Sequence, residues 1–443
     1  MLNASRVLMI SVVVAAWSFQ VSAAKEPLAP TDLFVEGSYI VTFKPSTPAA
    51  RSPVMPSLPR EQLRTRAPAP FGEHTTGQSK EGLALDLGIR GQVVSIFDAI
   101  NAAHLKVDAD EANRLRKDPR VLRVERDMRT TAAQTVQLNP GWALDRLDQP
   151  LPPLNNQYVY NASGAGQTIY ILDTGLTLAN PAVAAEFGGR ATVFWDVNNA
   201  GGLDCHGHGT QVASVAAGAS RGLAKGATLI IAKITDACTR NSTVATAVLA
   251  FNWLAANAPR GTIANYSYGF QNANGACSPG IVSVDMENAI RAAHNAGIIV
   301  VVSAGNDGCD TNNFSPTRIP EAFVVGATDN TRFAFTQDAR PTWSRFGANI
   351  SVFSPGAQVA AINFDGSPVL TSGTSFSAPY MAGMFAVGCQ VVATQATTCT
   401  NAPNAGTLYA LMRGIGTLGS VVDPGGTALP AGTTSRFISR SPW

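Results

Sequence analysis

The chain of 443 residues has few charged side chains, few aromatic rings and only five histidines. Charged residues make up 14% and aromatic residues 7%, whereas hydrophobic residues reach 45%. This balance excludes general disorder, which requires low hydrophobicity and high charge. The formal net charge is +2 and no long basic run occurs, so nucleic-acid binding by phosphate neutralisation is excluded as a main function. The length predicts two or three folding units.

Long hydrophobic runs are also scarce, and the clearest one lies at the N-terminus, at residues 7–16. It is shorter than the ~20 residues that a membrane-spanning helix needs. Arg6 precedes the run, and Val21-Ser22-Ala23 resembles a small-residue cleavage site. We therefore expect a signal peptide at residues 1–23 rather than an uncleaved anchor. The product would be secreted, to the extracellular space or the periplasm, and free of the membrane after cleavage.

Cysteine is absent from the first 204 residues. The six cysteines are Cys205, Cys238, Cys277, Cys309, Cys389 and Cys399. An even number in an exported chain predicts disulfides, whereas buried free thiols would suit a cytosolic protein. The count alone leaves ~15 pairings open.

Charge is distributed unevenly, because residues 24 to about 130 carry about half of the charged side chains. Strand-like segments at 38–43 and 121–125 and a helix-like segment at 109–116 predict a small α+β unit there. A proline-rich stretch at 45–70 interrupts it and is expected to be a loop or a disordered insertion. Residues 130–139 lack a strong periodicity and are expected to form an exposed linker.

From Trp142 onward, apolar strands alternate with helical stretches. Predicted strands are 168–172, 228–232, 262–264, 298–302 and 322–325, and predicted helices are 210–218, 244–255, 282–296 and 378–393. This alternation predicts an α/β fold with a mostly parallel sheet covered by helices on both faces. In such sheets, reactive groups gather at the carboxyl ends of the strands.

The scarcity of histidine narrows the search for a general base. The five are His74, His104, His206, His208 and His294. The first two belong to the charged N-terminal unit, which leaves the last three. His208 is flanked by Gly207 and Gly209 just before a predicted helix, and these glycines allow a substrate backbone to approach the imidazole.

Three further residues complete a constellation for nucleophilic catalysis. Asp173 ends an apolar strand and could fix the tautomer of the histidine. Ser375 precedes Pro379, which suits the first turn of a helix, so Ser375 should lie at a helix N-terminus. Asn306 follows a buried strand and is a candidate oxyanion donor. Each is singly a common turn or capping residue, but together they predict acyl transfer to serine.

Four segments resemble the four signatures of the subtilisin superfamily, in that family's Asp–His–Ser order. They are Ile171-Leu172-Asp173-Thr174-Gly175, Gly207-His208-Gly209-Thr210, Ser303-Ala304-Gly305-Asn306 and Gly373-Thr374-Ser375-Phe376-Ser377-Ala378-Pro379. Residues 142–149 resemble the start of the mature enzyme in the proteinase K and aqualysin branch. The resemblance runs from about Gln134 almost to the C-terminus.

The resemblance implies a secreted serine endopeptidase that acts on proteins and peptides as a monomer. Asp173, His208 and Ser375 would be the triad, and Asn306 with the Ser375 N–H would hold the oxyanion. The segments that would flank the substrate are Ser267-Tyr268-Gly269 and Ser303-Ala304-Gly305.

The resemblance also interprets the charged N-terminal unit. Residues 38–43 and 121–127 resemble the first and last strands of the inhibitory propeptide that these enzymes carry and remove autocatalytically. We therefore expect residues 24–133 to be an intramolecular inhibitor and residues 134–443 to be the peptidase domain. The alternative is a retained accessory domain.

Several positions depart from the family pattern. Gln211 and Ser214 replace a second histidine and a common glycine, and a Gly/Ser-rich rim is replaced by Arg240-Asn241-Ser242. The rim change could narrow the cleft or add a charge preference.

The family's chemistry requires no cofactor, although structural calcium is common. Ser351 stands where one familiar calcium site has an aspartate, so that site is not carried over. Asp307, Asp310 and Asp329 could serve another site, and the metal ligands are left unassigned.

Disulfide pairing is also suggested by the resemblance. Cys205 with Cys238 matches a pair of the aqualysin-like group. In that group, the cysteine that pairs with the equivalent of Cys309 occupies the position that holds Asn349 here. Cys277 is therefore the expected partner of Cys309. Cys389 is then expected to pair with Cys399.

Three other functions compete with this interpretation. Gly218-Ala219-Ser220-Arg221-Gly222 fits the nucleophile elbow of an esterase, but its partners Asp285 and His294 fall on one predicted helix. A metal site of Cys205, His206 and His208 lacks a convincing fourth ligand. A non-catalytic, peptide-binding homologue is the most serious alternative, yet all triad positions and Asn306 are intact.

Overall fold

A computed structural model of the chain describes residues 34–44, 80–97, 100–128, 135–236, 238–272, 274–332, 334, 336–393, 399 and 405–439. The described residues form two compact units, which divide between Ala132 and Ala133. The proposed signal peptide, the proline-rich stretch at 45–70 and His74 lie outside the described residues.

The N-terminal unit is a four-stranded antiparallel sheet with two helices. Its elements are β1 (Phe34–Phe43), α1 (Lys80–Leu87), β2 (Gly91–Phe97), β3 (Ala102–Val107), α2 (Ala109–Arg116) and β4 (Val121–Met128). The strand order is β2-β3-β1-β4, so the first and last strands are neighbours. The predicted α+β unit is therefore confirmed, with its own small apolar core.

Charged side chains cap helix α2 and pair with one of its buried residues. The side chain of Asp108 caps the helix by accepting from the Glu111 N–H at 2.7 Å. Glu111 itself is fully buried and accepts hydrogen bonds from the guanidinium groups of Arg90 and Arg114. These bonds lower the pKa of Glu111 to about 2, with the Arg114 hydrogen bond as the largest cause.

The C-terminal unit is built on a seven-stranded sheet. Its elements are β5 (Thr135–Leu138), α3 (Trp142–Leu147), β6 (Gln157–Tyr160), β7 (Thr168–Asp173), α4 (Pro181–Phe187), β8 (Ala191–Asp196), α5 (His208–Ala217), β9 (Thr228–Lys233), α6 (Val244–Asn257), β10 (Ile263–Tyr266), α7 (Val284–Asn295), β11 (Ile299–Ser303), β12 (Phe323–Thr328), β13 (Asp338–Ala339), β14 (Ile350–Pro355), β15 (Val359–Ile362), β16 (Pro368–Thr371), α8 (Thr374–Ala393), α9 (Ala405–Ile415) and β17 (Val421–Val422). The sheet order is β14-β12-β11-β10-β7-β9-β8, and every neighbouring pair is parallel.

Helices cover both faces of this sheet. Alternate residues of β7, Tyr170 and Leu172, face helix α6, which packs on α7. Helices α5 and α8 pack together on the other face, where α8 crosses the central strands. Strands such as β11 are buried along their whole length, as expected for a parallel sheet covered on both sides. The predicted α/β architecture is confirmed.

Two predictions of local structure are wrong. Residues 135–138, expected to be part of an exposed linker, form β5, which pairs antiparallel with β6. Four residues are too few to show a periodicity, and the pairing partner lies some twenty residues downstream. In addition, α8 begins at Thr374, four residues earlier than expected.

The early start of α8 is accommodated by a side chain from a neighbouring segment. Pro379 lies inside the helix rather than in its first turn, so it cannot donate to the carbonyl of Ser375 four residues before it. The Ser267 hydroxyl donates to that carbonyl instead, at 3.0 Å. The Ser267 side chain thus replaces the missing helical hydrogen bond. It also links the turn after β10 to the N-terminus of α8.

The six cysteines form three disulfides, Cys205–Cys238, Cys277–Cys309 and Cys389–Cys399. These are the pairs that the family resemblance suggests. Among the described residues, no helix combines the length and apolar character needed to cross a bilayer.

Candidate active site

Asp173 and His208 meet at the carboxyl edge of the sheet. Asp173 is the last residue of β7, and His208 is the first residue of α5. Oδ1 of Asp173 lies 2.7 Å from Nδ1 of His208, and both side chains are buried. A carboxylate in this position fixes the orientation of the imidazole and stabilises its protonated form.

Asp204 holds the backbone around this pair. Its carboxylate accepts from the hydroxyls of Thr174 and Thr210, from the Thr210 N–H in the first turn of α5, and from the N–H groups of the two residues before the helix. The Thr174 hydroxyl in turn accepts from the Gly209 N–H at 2.7 Å. A Cβ on Gly209 would lie 2.4 Å from the Gly175 carbonyl oxygen, so only glycine allows the two loops to approach this closely.

Ser375 is the second residue of α8 and is 5% exposed. Its hydroxyl makes a long contact of 3.5 Å to the Ser267 carbonyl. Nε2 of His208 is buried and has no hydrogen-bond partner among the described residues, so the His208–Ser375 bond is not formed in this structure. Such catalytic hydrogen bonds often tighten only when substrate is bound.

Asn306 is held by the residue that precedes Ser375. Its Oδ1 accepts from the Thr374 N–H at 2.8 Å and from the Thr374 hydroxyl at 2.9 Å. The Thr374 hydroxyl accepts from the Gly305 N–H at 3.0 Å, which closes a small network. Because Oδ1 is occupied, the free donor of this amide is Nδ2, which lies beside Gly373.

A cavity of about 180 Å³ opens next to Ser375 and Asn306. All six residues expected to flank a substrate line it: Ser267, Tyr268, Gly269, Ser303, Ala304 and Gly305. Five further residues line the cavity that no sequence motif marks as part of a substrate pocket: Arg240, Phe270, Gln271, Thr317 and Arg345. Of these, only Arg240 belongs to a segment that departs from the family pattern, the altered rim.

Arg345 could not be found from local sequence. It is 1% exposed, pairs with Asp307 at 2.5 Å, and donates to the Phe270 carbonyl at 2.7 Å. A Cβ on Gly305 would lie 2.5 Å from Nε of Arg345, so the ion pair supports the cavity wall directly. The pairing partners are 38 residues apart and share no motif.

Two aromatic groups surround the His208 imidazole. The rings of Tyr268 and Phe376 lie 6.0 and 5.6 Å from it. Burial raises the pKa of the Tyr268 hydroxyl, and the negative charge of Asp173 raises it further. The pKa of the neighbouring His206 is lowered, first by burial and then by the positive charge of Arg240.

The residues considered for calcium have other partners. Asp307 is paired with Arg345, Asp310 caps the turn at Asn312, and Asp329 accepts from Thr331. These three carboxylates do not come together as one group of candidate metal ligands. Among the described residues, no cluster of three or more His, Cys, Asp or Glu side chains could hold a metal ion.

The competing sites also fail on geometry. Ser220 follows the end of α5 rather than a strand, and its hydroxyl donates to Glu186 at 2.9 Å. Asp285 and His294 both lie on α7. Cys205 is bonded to Cys238 and is therefore not a free metal ligand. His104 belongs to the N-terminal unit, where its Nε2 lies 2.7 Å from the Ser38 hydroxyl.

Comparison with known proteins agrees with this geometry. Residues 164–409 match the model of the subtilase family. The chain belongs to the subtilase family. It is therefore a subtilisin-like serine endopeptidase.

Relatives and solved structures extend the subtilase assignment. An alkaline serine exoprotease A from Vibrio alginolyticus is 33% identical over 81% of this chain. An extracellular serine proteinase from a Thermus species is also 33% identical, over 80% of this chain. The chain spans 62% of the first relative's length and 80% of the second's. A crystal structure of a cold-adapted subtilisin-like serine proteinase covers 68% of the chain and 98% of its own length, with 29% identity and a TM-score of 0.57.

Proposed function

We propose that this subtilase cleaves proteins and peptides through a triad of Asp173, His208 and Ser375. The observation that carries the proposal is the 2.7 Å contact between Asp173 and His208 at the sheet edge that also presents Ser375. An imidazole with one nitrogen bound to a buried carboxylate leaves Nε2 to act as the general base.

In the proposed reaction, Nε2 of His208 takes the proton of the Ser375 hydroxyl as its oxygen attacks the scissile carbonyl. The carbonyl oxygen becomes negative and accepts from Nδ2 of Asn306 and from the Ser375 N–H. The protonated imidazole then gives its proton to the leaving amine, which leaves an acyl-enzyme. Water, activated by the same imidazole, releases the acyl group and restores Ser375.

We further propose that the chain is secreted as a precursor and that residues 24–133 inhibit it before removal. Three disulfides suit an oxidising compartment, and the Thermus relative is named as extracellular. Residues 135–138 pair with β6, so a cut beyond Thr135 would remove part of the peptidase unit. We therefore place the processing site between Arg129 and Gln134.

The proposed partners are protein and peptide substrates and the chain's own N-terminal unit. Acyl transfer through Ser375 uses no cofactor, and structural calcium remains a prediction without assigned ligands. The mature enzyme is proposed to act as a monomer, free of the membrane and of nucleic acid.

The test follows the mass of the purified precursor alongside casein hydrolysis. The wild type should release a fragment ending between residues 129 and 134 and should degrade casein, whereas Ser375→Ala should do neither. Ser377→Ala is the matched control, because Ser377 is a buried serine two residues along α8 whose hydroxyl has no partner among the described residues. It should process and digest like the wild type.

Three other outcomes would reject parts of the proposal. If wild type and Ser375→Ala both stay intact and inactive, the chain is a non-catalytic homologue, and peptide binding becomes the question. If Ser375→Ala still degrades casein, another group is the nucleophile. If casein is degraded while the precursor stays intact, the N-terminal unit is a retained domain.

A further inference from the structure

The cavity beside Ser375 contains an unbalanced positive charge. Two arginines line it, Arg240 and Arg345. Arg345 is neutralised by its buried ion pair with Asp307. Arg240 is exposed and makes no ion pair or hydrogen bond with any residue that the structure describes. The inference drawn from this difference rests on the function proposed above.

Acidic groups near Arg240 do not compensate for its charge. Asp236 lies on the same loop, but its carboxylate is more than an ion-pair distance from the guanidinium in the described structure. The Asp204 carboxylate is fully buried and accepts hydrogen bonds from the first turn of α5, including one from the Thr210 N–H. The charge of Arg240 nevertheless acts on the cavity lining: burial and then Asp173 raise the pKa of Tyr268, and Arg240 opposes them.

The loop that carries Arg240 is braced rather than loose. The Cys205–Cys238 disulfide ties it to the segment before His208. The Ser242 hydroxyl donates to the Ile234 carbonyl at 2.8 Å, and the Asp236 N–H donates to the Asn241 carbonyl at 3.2 Å. A guanidinium on a fixed loop loses less conformational entropy when it binds a partner.

We propose that Arg240 is a specificity residue that binds a substrate carboxylate, so the enzyme prefers Asp or Glu among the four residues preceding the scissile bond. The cavity adjoins Ser375 and Asn306, where the scissile carbonyl would lie, and therefore receives side chains from this part of the substrate. A guanidinium can bind a carboxylate through two parallel hydrogen bonds. For a partly exposed pair, we expect about a three- to fivefold preference, equivalent to roughly 1 kcal/mol.

The test compares peptides that differ only by Glu, Gln or Lys at each of these four positions. For at least one position, wild-type kcat/KM should be about three- to fivefold higher with Glu than with Gln, and lowest with Lys. Arg240→Ala should bring the Glu to Gln ratio close to one, and Arg240→Glu should favour Lys. Raising the salt to about 1 M should shrink the wild-type preference, because the Debye length then falls to about 3 Å.

Lys225→Ala is the matched control for the loss of one positive charge. Lys225 lies outside the cavity, and its ammonium group donates to the Ala219 carbonyl. This variant should keep both the rate and the Glu to Gln ratio of the wild type. Equal wild-type cleavage of Glu and Gln peptides at all four positions, or a Glu preference that survives in Arg240→Ala, overturns the inference about Arg240. Failure of the wild type to cleave any of these peptides, or casein, rejects the proposed function instead.

Discussion

Both hydrogen bonds that Thr374 can donate, from its backbone N–H and from its hydroxyl, end on Oδ1 of Asn306. The residue directly before the proposed nucleophile therefore orients the proposed oxyanion donor. This couples two residues 68 positions apart in the sequence. The consequence is that Nδ2 of Asn306 is held ready before the oxyanion forms, which is the condition for efficient electrostatic stabilisation.

The first prediction concerns this pair. Asn306→Ala should lower kcat by about 100- to 1000-fold with little change in KM, because the donor acts mainly in the transition state. Thr374→Val should lower kcat by about tenfold, since the hydroxyl's bonds to Asn306 and from the Gly305 N–H are lost while the backbone N–H bond to Asn306 remains. Thr374→Ser keeps the hydroxyl and should retain most of the activity. Equal kcat values for Thr374→Val and Thr374→Ser would contradict the orienting role.

Much of this site could be predicted because its members stand at strand and helix ends. Asp173 follows four apolar residues, and the glycines around His208 mark a tight turn before a helix. These local signals correctly placed both residues at the carboxyl edge of the sheet. The resemblance of the four motifs to the subtilisin signatures then predicted that their residues act together.

The parts that could not be predicted depend on distant partners. Arg345 becomes part of the cavity wall only through Asp307 and the carbonyl of Phe270. The sheet edges, β8 and β14, were not predicted as strands, and β5 was expected to be a linker. β8 has only one neighbour in the sheet and reads Ala-Thr-Val-Phe-Trp-Asp, with Phe194 half-exposed, so it lacks the continuous burial that marks a central strand.

The second prediction concerns a buried ion pair that joins α3 to β13. Arg146 and Asp338 are both fully buried, with guanidinium-to-carboxylate distances of 2.8 and 2.6 Å. Arg146→Met should lower the free energy of unfolding by about 3–5 kcal/mol, because it leaves the Asp338 carboxylate buried without its partner. Urea unfolding in the Ser375→Ala background, which prevents self-digestion, measures the loss.

A second substitution serves as the control for this ion pair. Replacing the carboxylate as well, with Asp338→Leu, removes the unpaired charge, so the double variant should be more stable than Arg146→Met alone. A loss below about 1 kcal/mol for Arg146→Met, or a double variant less stable than the single one, would show that the pair does not act in this way.

The third prediction is a pH dependence in the N-terminal unit. The pKa of Glu111 is lowered from 4.5 to about 2, chiefly by the Arg114 hydrogen bond. A lowered carboxyl pKa stabilises the fold above the unfolded value near 4.5, and this contribution is lost as the pH falls towards 2. Glu111→Gln should therefore be less stable by about 1–3 kcal/mol at pH 7, and the difference should shrink below pH 4.5.

Hydrogen exchange of α2 in the full-length Ser375→Ala protein measures this effect at each pH. Comparing variant and reference at the same pH removes the intrinsic pH dependence of exchange. Glu125→Gln is the control, because Glu125 pairs with Arg123 at the surface and should have an effect below about 1 kcal/mol. A difference for Glu111→Gln that stays constant from pH 7 to pH 2 would contradict the assignment.

The most direct test of the central claim is to find which serine reacts with a fluorophosphonate, which phosphonylates activated serine hydroxyls. After labelling the processed enzyme, peptide mass mapping should locate one adduct on Ser375. The adduct should be absent in Ser375→Ala and form far more slowly in His208→Ala, because the imidazole activates the hydroxyl. Since neither variant should process itself, the N-terminal unit of both is first removed with an added metalloprotease, which has no serine nucleophile to label. An adduct on another serine, such as Ser220, or undiminished labelling of Ser375 in His208→Ala, would contradict the triad.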